Sequence, residues 1–248
     1  MINKTFISEI AGKDSIAAIS SFINDVDCKI KIVPTIVYTG TEYGRFESYK
    51  ESIHYLKTIA NNHVAFDKIY ELRNEKIWNT LIYKYQFLLN KKYNFFTPCI
   101  MCHFYTHLLR IPLYVEKKAT GLITGERMMH DDKIKLNQHF LVLECFHKLF
   151  SSYDINIIQP ILQIKKTKII DSYIDDRYIL EGANDVRCIL SDNLTGFIID
   201  DKRNVDRIRD FLNEFVEPIG HYCINEMLEK GEIDVFDLDY IIKENIYG

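Results

Sequence analysis

A chain of 248 residues, 47% hydrophobic and 27% charged, has the size and composition of one large globular domain, or of one domain with an appendage, which excludes disordered and fibrous classes. Its 31 Lys and Arg against 35 Asp and Glu leave a net charge of −4, so no global basic field draws in nucleic acid and any RNA contact would rest on a local patch. Six cysteines are too sparse for a disulfide scaffold. Glu9 falls inside what would have to be the apolar segment of a signal peptide, and no run approaches about 18 apolar residues. The expectation is a cytoplasmic protein with no membrane partner, in which clustered cysteines serve metal binding or catalysis.

Short β-branched runs alternate with helical patterns over the first two-thirds of the chain, as βαβ units around a parallel sheet do. The expected elements begin with a strand over Thr5–Ile10, a helix from Asp14 to Phe22 capped by Asp14 or Ser15, and a strand over Ile30–Tyr38 in which Pro34 argues for a bulge. A helix over Phe46–Ala60, a strand over His63–Ile69 and an aromatic-rich helix over Glu75–Leu89 follow. Cys102–Lys118 is helical, kinked or split by Pro112. Gly121–Thr124 reads as a buried strand, Ile134–Phe150 as a long amphipathic helix, Ile155–Ile158 as a fifth strand closed by Pro160, and Lys165–Asp175 as a helix. The pattern is loop-like from Gly182 to about Ile199, and three helices close the chain at about 204–215, 218–229 and 235–245. The fold class is α/β: a five-stranded parallel sheet between helices over 1–200, with a helical C-terminal extension over 201–248. Apolar stripes there, such as Val205, Ile208, Phe211, Leu212 and Phe215, must be buried. The extension is expected to cover the active-site mouth, to make a homodimer, or simply to pack on the sheet's edge.

The turn Ile10-Ala11-Gly12-Lys13-Asp14-Ser15 lays backbone N–H groups at a helix N-terminus, where phosphate binds readily. Gly12 permits close backbone approach, Ser15 offers a hydroxyl and Lys13 a point charge. The spacing of a Walker A loop is absent, and an ordinary strand–helix turn with a capping Asp is the other reading. The stretch resembles the PP-loop of the N-type ATP pyrophosphatase (adenine nucleotide alpha-hydrolase-like) superfamily, S-G-G-x-D-S. Gly12 to Ser15 match, and Ile10 and Ala11 replace Ser and Gly. Val37-Tyr38-Thr39-Gly40 is similar to the adenine-contacting strand end of the PAPS-reductase-like branch, and Ile123-Thr124-Gly125-Glu126-Arg127 to a later strand end that holds the nucleotide. Gln159-Pro160-Ile161-Leu162 with Lys165–Ile170 resembles the family's R-P-L … K-x-E-I element, with Gln159 and Lys168 in place of Arg and Glu. The resemblance covers roughly residues 4–190. It implies a Rossmann-like, HUP-type fold with ATP held by Ala11, Gly12, Lys13, Asp14, Ser15, Thr39, Gly40, Gly125, Glu126 and Arg127.

Cys99-Ile100-Met101-Cys102 follows Pro98 and opens a helix, a geometry that points two thiolates at one ion and lowers their pKa. With His103 it is formally a c-type haem pattern, but no export signal accompanies it. Four-thiolate zinc would need a second Cys-x-x-Cys, which is absent. His103 and His107, at i and i+4, can complete a Cys2His2 site, and a disulfide-forming or persulfide-carrying set is a further reading. Cys28, Cys145 and Cys223 read as small buried hydrophobes, whereas Cys188 lies in the polar stretch Asn184–Cys188. A Cys-x-x-Cys plus one distant cysteine in a PP-loop domain resembles the tRNA thiolation enzymes of the 2-thiocytidine and 2-thiouridine type. The resemblance implies a [4Fe-4S] cluster on Cys99, Cys102 and Cys188, with one iron left open to hydrosulfide.

Asp131 and Asp132, after a strand end, can hold Mg²⁺ on phosphate oxygens. The thiolation relatives carry G-H-x-x-D-D here, with two fewer residues between Gly and the Asp pair. Capping of the Ile134–Phe150 helix is the alternative. The lysine clusters 91–92, 117–118 and 165–168 read as solvated helix faces. The function expected is ATP-dependent sulfur transfer: a carbonyl oxygen of a nucleobase, in tRNA or a small molecule, is adenylated and replaced by sulfur from sulfide or a carrier. Lys13, Asp14, Asp131 and Asp132 are the expected catalytic groups. The alternatives are an amide or nitrile ligase or a sulfonucleotide reductase on the same loop, and a non-catalytic nucleotide or redox sensor.

Overall fold

Runs rich in Ile and Val between helical segments set the order of elements in the computed structural model, which describes residues 4–174, 186–190 and 202–248. β1 (Lys4–Glu9), α1 (Lys13–Asn24), β2 (Ile30–Val37), β3 (Glu42–Tyr43), α2 (Ser48–Ile59), β4 (Val64–Phe66) and β5 (Tyr70–Leu72) form the first part. α3 (Glu75–Trp78) runs through a π-helical turn, Asn79–Tyr83, towards α4 (Gln86–Tyr93). Next come α5 (Pro98–Leu108), α6 (Ile111–Glu116), β6 (Gly121–Ile123), α7 (Phe140–Ser151), β7 (Ile157–Ile158), α8 (Thr167–Asp171) and β8 (Arg187–Cys188). The chain closes with α9 (Lys202–Phe211), a second π-helical turn (Leu212–Val216), α10 (Glu217–Glu229) and α11 (Val235–Tyr247).

The sheet is parallel, with β1 between β2 and β6, β7 outside β6, and β4 and β5 both outside β2. The expected five strand positions are present, but the third is broken. β4 pairs with Ile30–Ile32 and β5 with Thr35–Val37. Pro34 stands opposite that break, so its missing N–H costs no ladder bond and β2 needs no bulge. Pro112 splits the expected helix into α5 and α6, as the loss of an N–H donor predicts. The helix expected from Ile134 begins only at Phe140, after a 3-10 turn at Leu136–Gln138, and His139 caps it.

Side-chain alternation assigns the two sheet faces. Phe6, Ile32, Ile36 and Ile123 pack with Ile16, Ile19 and Ile23 of α1 and Ile53 and Leu56 of α2. Ile7, Val33, Leu122 and Ile157 face the other way, onto α5 and α7. The C-terminal helices join this second core. Ile208, Phe211, Phe215, Ile219, Ile224 and Leu238 are buried with Phe104, Phe146 and Phe150, and a Cβ at Gly220 would fall on Leu149. Asp239 of α11 accepts from Lys84 Nζ at 2.6 Å and Tyr85 Oη at 2.5 Å. These helices therefore pack on the helical layer rather than on the sheet's edge. They line neither compartment of the crevice described below. No helix among the described residues is long and apolar enough to cross a membrane. The expected loop between Gly182 and Ile199 lies largely outside the described residues.

Candidate functional site

Strand order reverses between β1 and β6, whose following connections leave in opposite directions and open a crevice at the carboxyl ends of the strands. One wall is the turn Ala11–Ser15 and the other Gly125–Arg127, around a cavity of about 530 Å³. Within the turn, Ser15 Oγ accepts from the backbone N–H of Ala11 at 3.0 Å and Gly12 at 3.1 Å, and donates to the Gly12 carbonyl at 2.7 Å. Ser15 thus shapes the loop, and Gly12, not Asp14, is the residue that caps α1. Asp14 faces the cavity and is held by Arg127 Nη2 at 3.1 Å, with His130 Nδ1 at 3.6 Å. Burial, with Lys135 and Arg127 close by, keeps the His130 imidazole below its ordinary pKa. Lys13 lines the same cavity and is ion-paired with Asp171 of α8.

Gly125 is where the walls meet. A Cβ there would lie 2.5 Å from Ser15 N and 2.6 Å from Ser15 Cα, so only a residue without a side chain lets this connection rest on the start of α1. Gly125→Ala is expected to push the walls apart and to weaken binding of any ligand held by both, by roughly tenfold or more. The clash is with backbone rather than with the end of a side chain, so the thermal transition should fall as well. Ligand affinity by calorimetry, read beside a melting curve, checks this.

One face of α5, continued by Arg110 just past its end, carries a row of buried and half-buried polar groups behind the crevice. Cys99, Cys102, His103, Thr106, His107 and Arg110 recur at helical spacing. At one end, Arg110 is 1% exposed; it donates to Thr35 Oγ1 (2.8 Å), the Thr106 carbonyl (2.8 Å) and Glu9 Oε1 (3.2 Å), and so fixes the end of β1 from below. In the middle, His103 Nε2 and His107 Nε2 lie 3.0 and 3.2 Å from Glu126 Oε1. Burial acts to raise the Glu126 carboxyl, but the two imidazoles outweigh it and hold that group well below the usual carboxylate range. Burial also pushes His107 down, towards its neutral form.

At the other end of the face, Cys99 and Cys102 come within electrostatic reach of Cys188. The two-stranded antiparallel ribbon of β3 and β8 sets Cys188 opposite Glu42, and Cys188 Sγ lies 3.2 Å from Thr41 Oγ1. The three thiols lie close enough to act on one another. Contrary to the lowering expected at a helix start, burial first, then Cys102 and Cys188, push the Cys99 thiol up to about 12. Burial and Cys188 do the same to Cys102. An adjoining compartment of about 200 Å³ carries Val37, Thr39, Cys102 and Thr106, and shares Glu9, Ala11 and Cys188 with the main cavity.

Most of the sequence-derived site residues therefore converge: Ala11 to Ser15, Gly125 to Arg127, Thr39, Cys102 and Cys188 line one crevice or the other. Three placements differ from expectation. Asp131 and Asp132 point away from both compartments: Asp131 accepts from the Thr167 N–H at 2.9 Å and Asp132 pairs with Lys166 at 2.7 Å. Both take positive φ, 49° and 70°, a conformation that Asp tolerates in turns; they line neither compartment and do not cap α7. Gly40, at φ 78°, serves the tight turn in which Glu42 accepts from Thr39 and Gly40 N–H, both at 2.8 Å. Lys13 lines the cavity as expected, in an exposed ion pair with Asp171. His103 and His107 turn to Glu126 rather than completing a cysteine site. Cys145 and Cys223 are buried as expected, and Cys28 packs at the edge of the core.

Sequence reasoning passed over Glu9, Lys135, Asn137 and Gln138, which also line the cavity, and the buried Arg110. The available signal was the unbroken polar stripe of α5 inside a helix that is otherwise apolar.

No family model matches the chain. It is similar to an uncharacterized protein of Methanocaldococcus jannaschii, 29% identical over 248 residues, or 97% of this chain and 85% of the relative.

Proposed function

We propose that this chain is an ATP-dependent, AMP-forming sulfurtransferase of the PP-loop type, working in the cytoplasm on a nucleobase-type acceptor, in tRNA or as a small molecule. The observation that carries this reading is the meeting of the Ala11–Ser15 turn with a group of cysteine thiols at one crevice, where Cys188 lines both compartments. The start of α1, Arg127 and Lys135 offer N–H groups and positive charge to phosphate oxygens. Lys13 joins them by exchanging its exposed ion pair with Asp171, which costs little. Val37, Thr39 and Tyr49 form the side of the second compartment suited to a flat base. Asp14, already clamped by Arg127, is the cavity carboxylate placed to hold Mg²⁺ on the phosphates, a role the Asp131–Asp132 pair does not reach.

The acceptor's carbonyl oxygen attacks the α-phosphate of ATP, and pyrophosphate leaves with the electron pair of the broken P–O bond. Hydrosulfide then adds to the activated carbon, AMP departs with the former carbonyl oxygen, and loss of a proton leaves the thiocarbonyl. Adenylation turns a poor leaving oxygen into a good one, and this chain's part is to orient the two reactants and neutralise charge. The chemistry of the donor set suits an iron–sulfur cluster: Cys99, Cys102 and Cys188 approach one another from two elements, and the Cys99 and Cys102 thiolates, disfavoured by burial and by the neighbouring thiols, would gain from a bound cation. When bound by these three residues, a [4Fe-4S] cluster supplies an open site for sulfide.

Protein purified without oxygen is expected to be brown and to carry close to four iron and four sulfide per chain. Cys99→Ala, Cys102→Ala and Cys188→Ala should each lose the cluster, while Cys28→Ala, Cys145→Ala and Cys223→Ala keep it. Asp14→Ala should weaken ATP binding roughly tenfold, about 1.4 kcal/mol. Stoichiometric zinc without iron in oxygen-free protein, or ATP affinity unchanged in Asp14→Ala, would overturn the reading.

A further inference from the structure

We infer that His103, His107 and Glu126 form a second, mononuclear site for a divalent transition cation of the zinc type, with a coordination position open to the main cavity. The inference is independent of the sulfur-transfer reading: it uses neither the thiols nor the nucleotide.

The first support is geometric. One ligand atom from each residue lies within 4.8 Å of the others, and the Nε2–Oε1 separations are 3.0 and 3.2 Å. Ligands on a tetrahedral cation with bonds of about 2.0–2.1 Å stand roughly 3.3 Å apart, so the cluster needs little adjustment to take an ion.

The second support is what these atoms lack. His103 Nε2 and Glu126 Oε1 are buried and meet only within this cluster, as an ion pair that stands outside hydrogen-bonding geometry. Buried polar atoms are normally hydrogen-bonded, and a set that converges on one point without such bonds is suited to a bridging ion. The other oxygen of the same carboxylate, Oε2, is fully engaged, by Thr124 Oγ1 and by Gln159 Nε2 at 3.3 Å. That arrangement orients Oε1 at the imidazoles in the way outer partners fix a metal-ligating carboxylate.

The third support is access. His103 and Glu126 line the main cavity, whereas His107 lies behind them. Two His and one Glu are three protein ligands, the number typical of zinc sites that keep a position for water or a substrate oxygen. The occupant of that position would face the space between Arg127 and Cys188. Softer thiolate-preferring ions are expected at the cysteines instead, because imidazole and carboxylate suit zinc and its neighbours.

The full-length chain with Cys99, Cys102 and Cys188 all changed to Ser, freed of metal by a chelator, isolates this site. Titration with Co²⁺ should reach one ion per chain, with visible d–d bands, no thiolate charge-transfer band, and displacement by Zn²⁺. Glu126→Gln or His107→Ala in that background should weaken uptake by roughly a hundredfold or more. No Co²⁺ uptake by the folded triple variant, or unchanged uptake in Glu126→Gln, would overturn the site. Should the triple variant not fold, metal counts on the natural chain decide. Zn²⁺-loaded wild type should hold one more zinc than Glu126→Gln, with iron equal in the two, and equal zinc would overturn the proposal. A wrong sulfur-transfer reading would instead appear as absent iron in both proteins, with the zinc difference untouched.

Discussion

A chain ending at Asp201 is expected not to fold. Deleting α9–α11 would remove Ile208, Phe211, Phe215, Ile219, Ile224, Met227, Leu238 and Ile242 from the core that covers one face of the sheet. Each such side chain contributes about 1.5–3 kcal/mol when buried, so the loss is at least comparable to the roughly 5–15 kcal/mol by which a domain is stable. The remaining layer would expose Phe104, Phe146 and Phe150 to water. Soluble yield and urea unfolding followed by circular dichroism check this. A cooperative transition in the truncated chain would show that the C-terminal helices are an accessory rather than part of the core.

The second large effect is expected at Arg110. Arg110→Met keeps the bulk of the side chain but removes the guanidinium, leaving Glu9 Oε1 and Thr35 Oγ1 without their donor beneath the end of β1. Breaking a buried pair in this way costs about 3–5 kcal/mol, because a charge is left uncompensated. The double variant Glu9→Gln/Arg110→Met should recover part of that loss. Urea midpoints for the two single variants and the double variant give the coupling directly. Additive effects would show that Glu9 and Arg110 do not support each other, and that the turn at Ala11 is held from elsewhere.

The sheet was legible because its signal is local. Ile30, Ile32 and Ile36 alternate with Val33 along one strand, and that pattern alone states which side chains share a face. The break between β4 and β5 was not legible, since it depends on Pro34 of the neighbouring strand. β3 and β8 escaped because two-residue strands have no period to detect, although they fix where Cys188 stands. In the site, the turn at Ala11–Ser15 and the Cys-x-x-Cys could be read from spacing. The partner of His103 and His107 could not, because Glu126 lies in the connection after β6 and meets α5 only through tertiary packing. The acidic pair at 131–132 misled for the opposite reason: its spacing suggested a cation site, but two left-handed residues in a row turn the carboxylates onto the 165–167 segment.

Cys99, His103 and His107 ride on one face of α5, and Arg110, in the turn directly after it, continues that face, so the four share a single mechanical frame. From Cys99 to His107 is about 12 Å along the axis, at 1.5 Å per residue. Adding or removing one residue within that span would rotate everything beyond it by about 100°, so the thiols, the imidazoles and the guanidinium could not all stay in register. Length changes in the connection after α6, by contrast, leave the frame intact. Variation in what the crevice accepts is therefore free to arise in its loops, while the helix behind it works as a fixed ruler against which the three sets of polar groups are spaced.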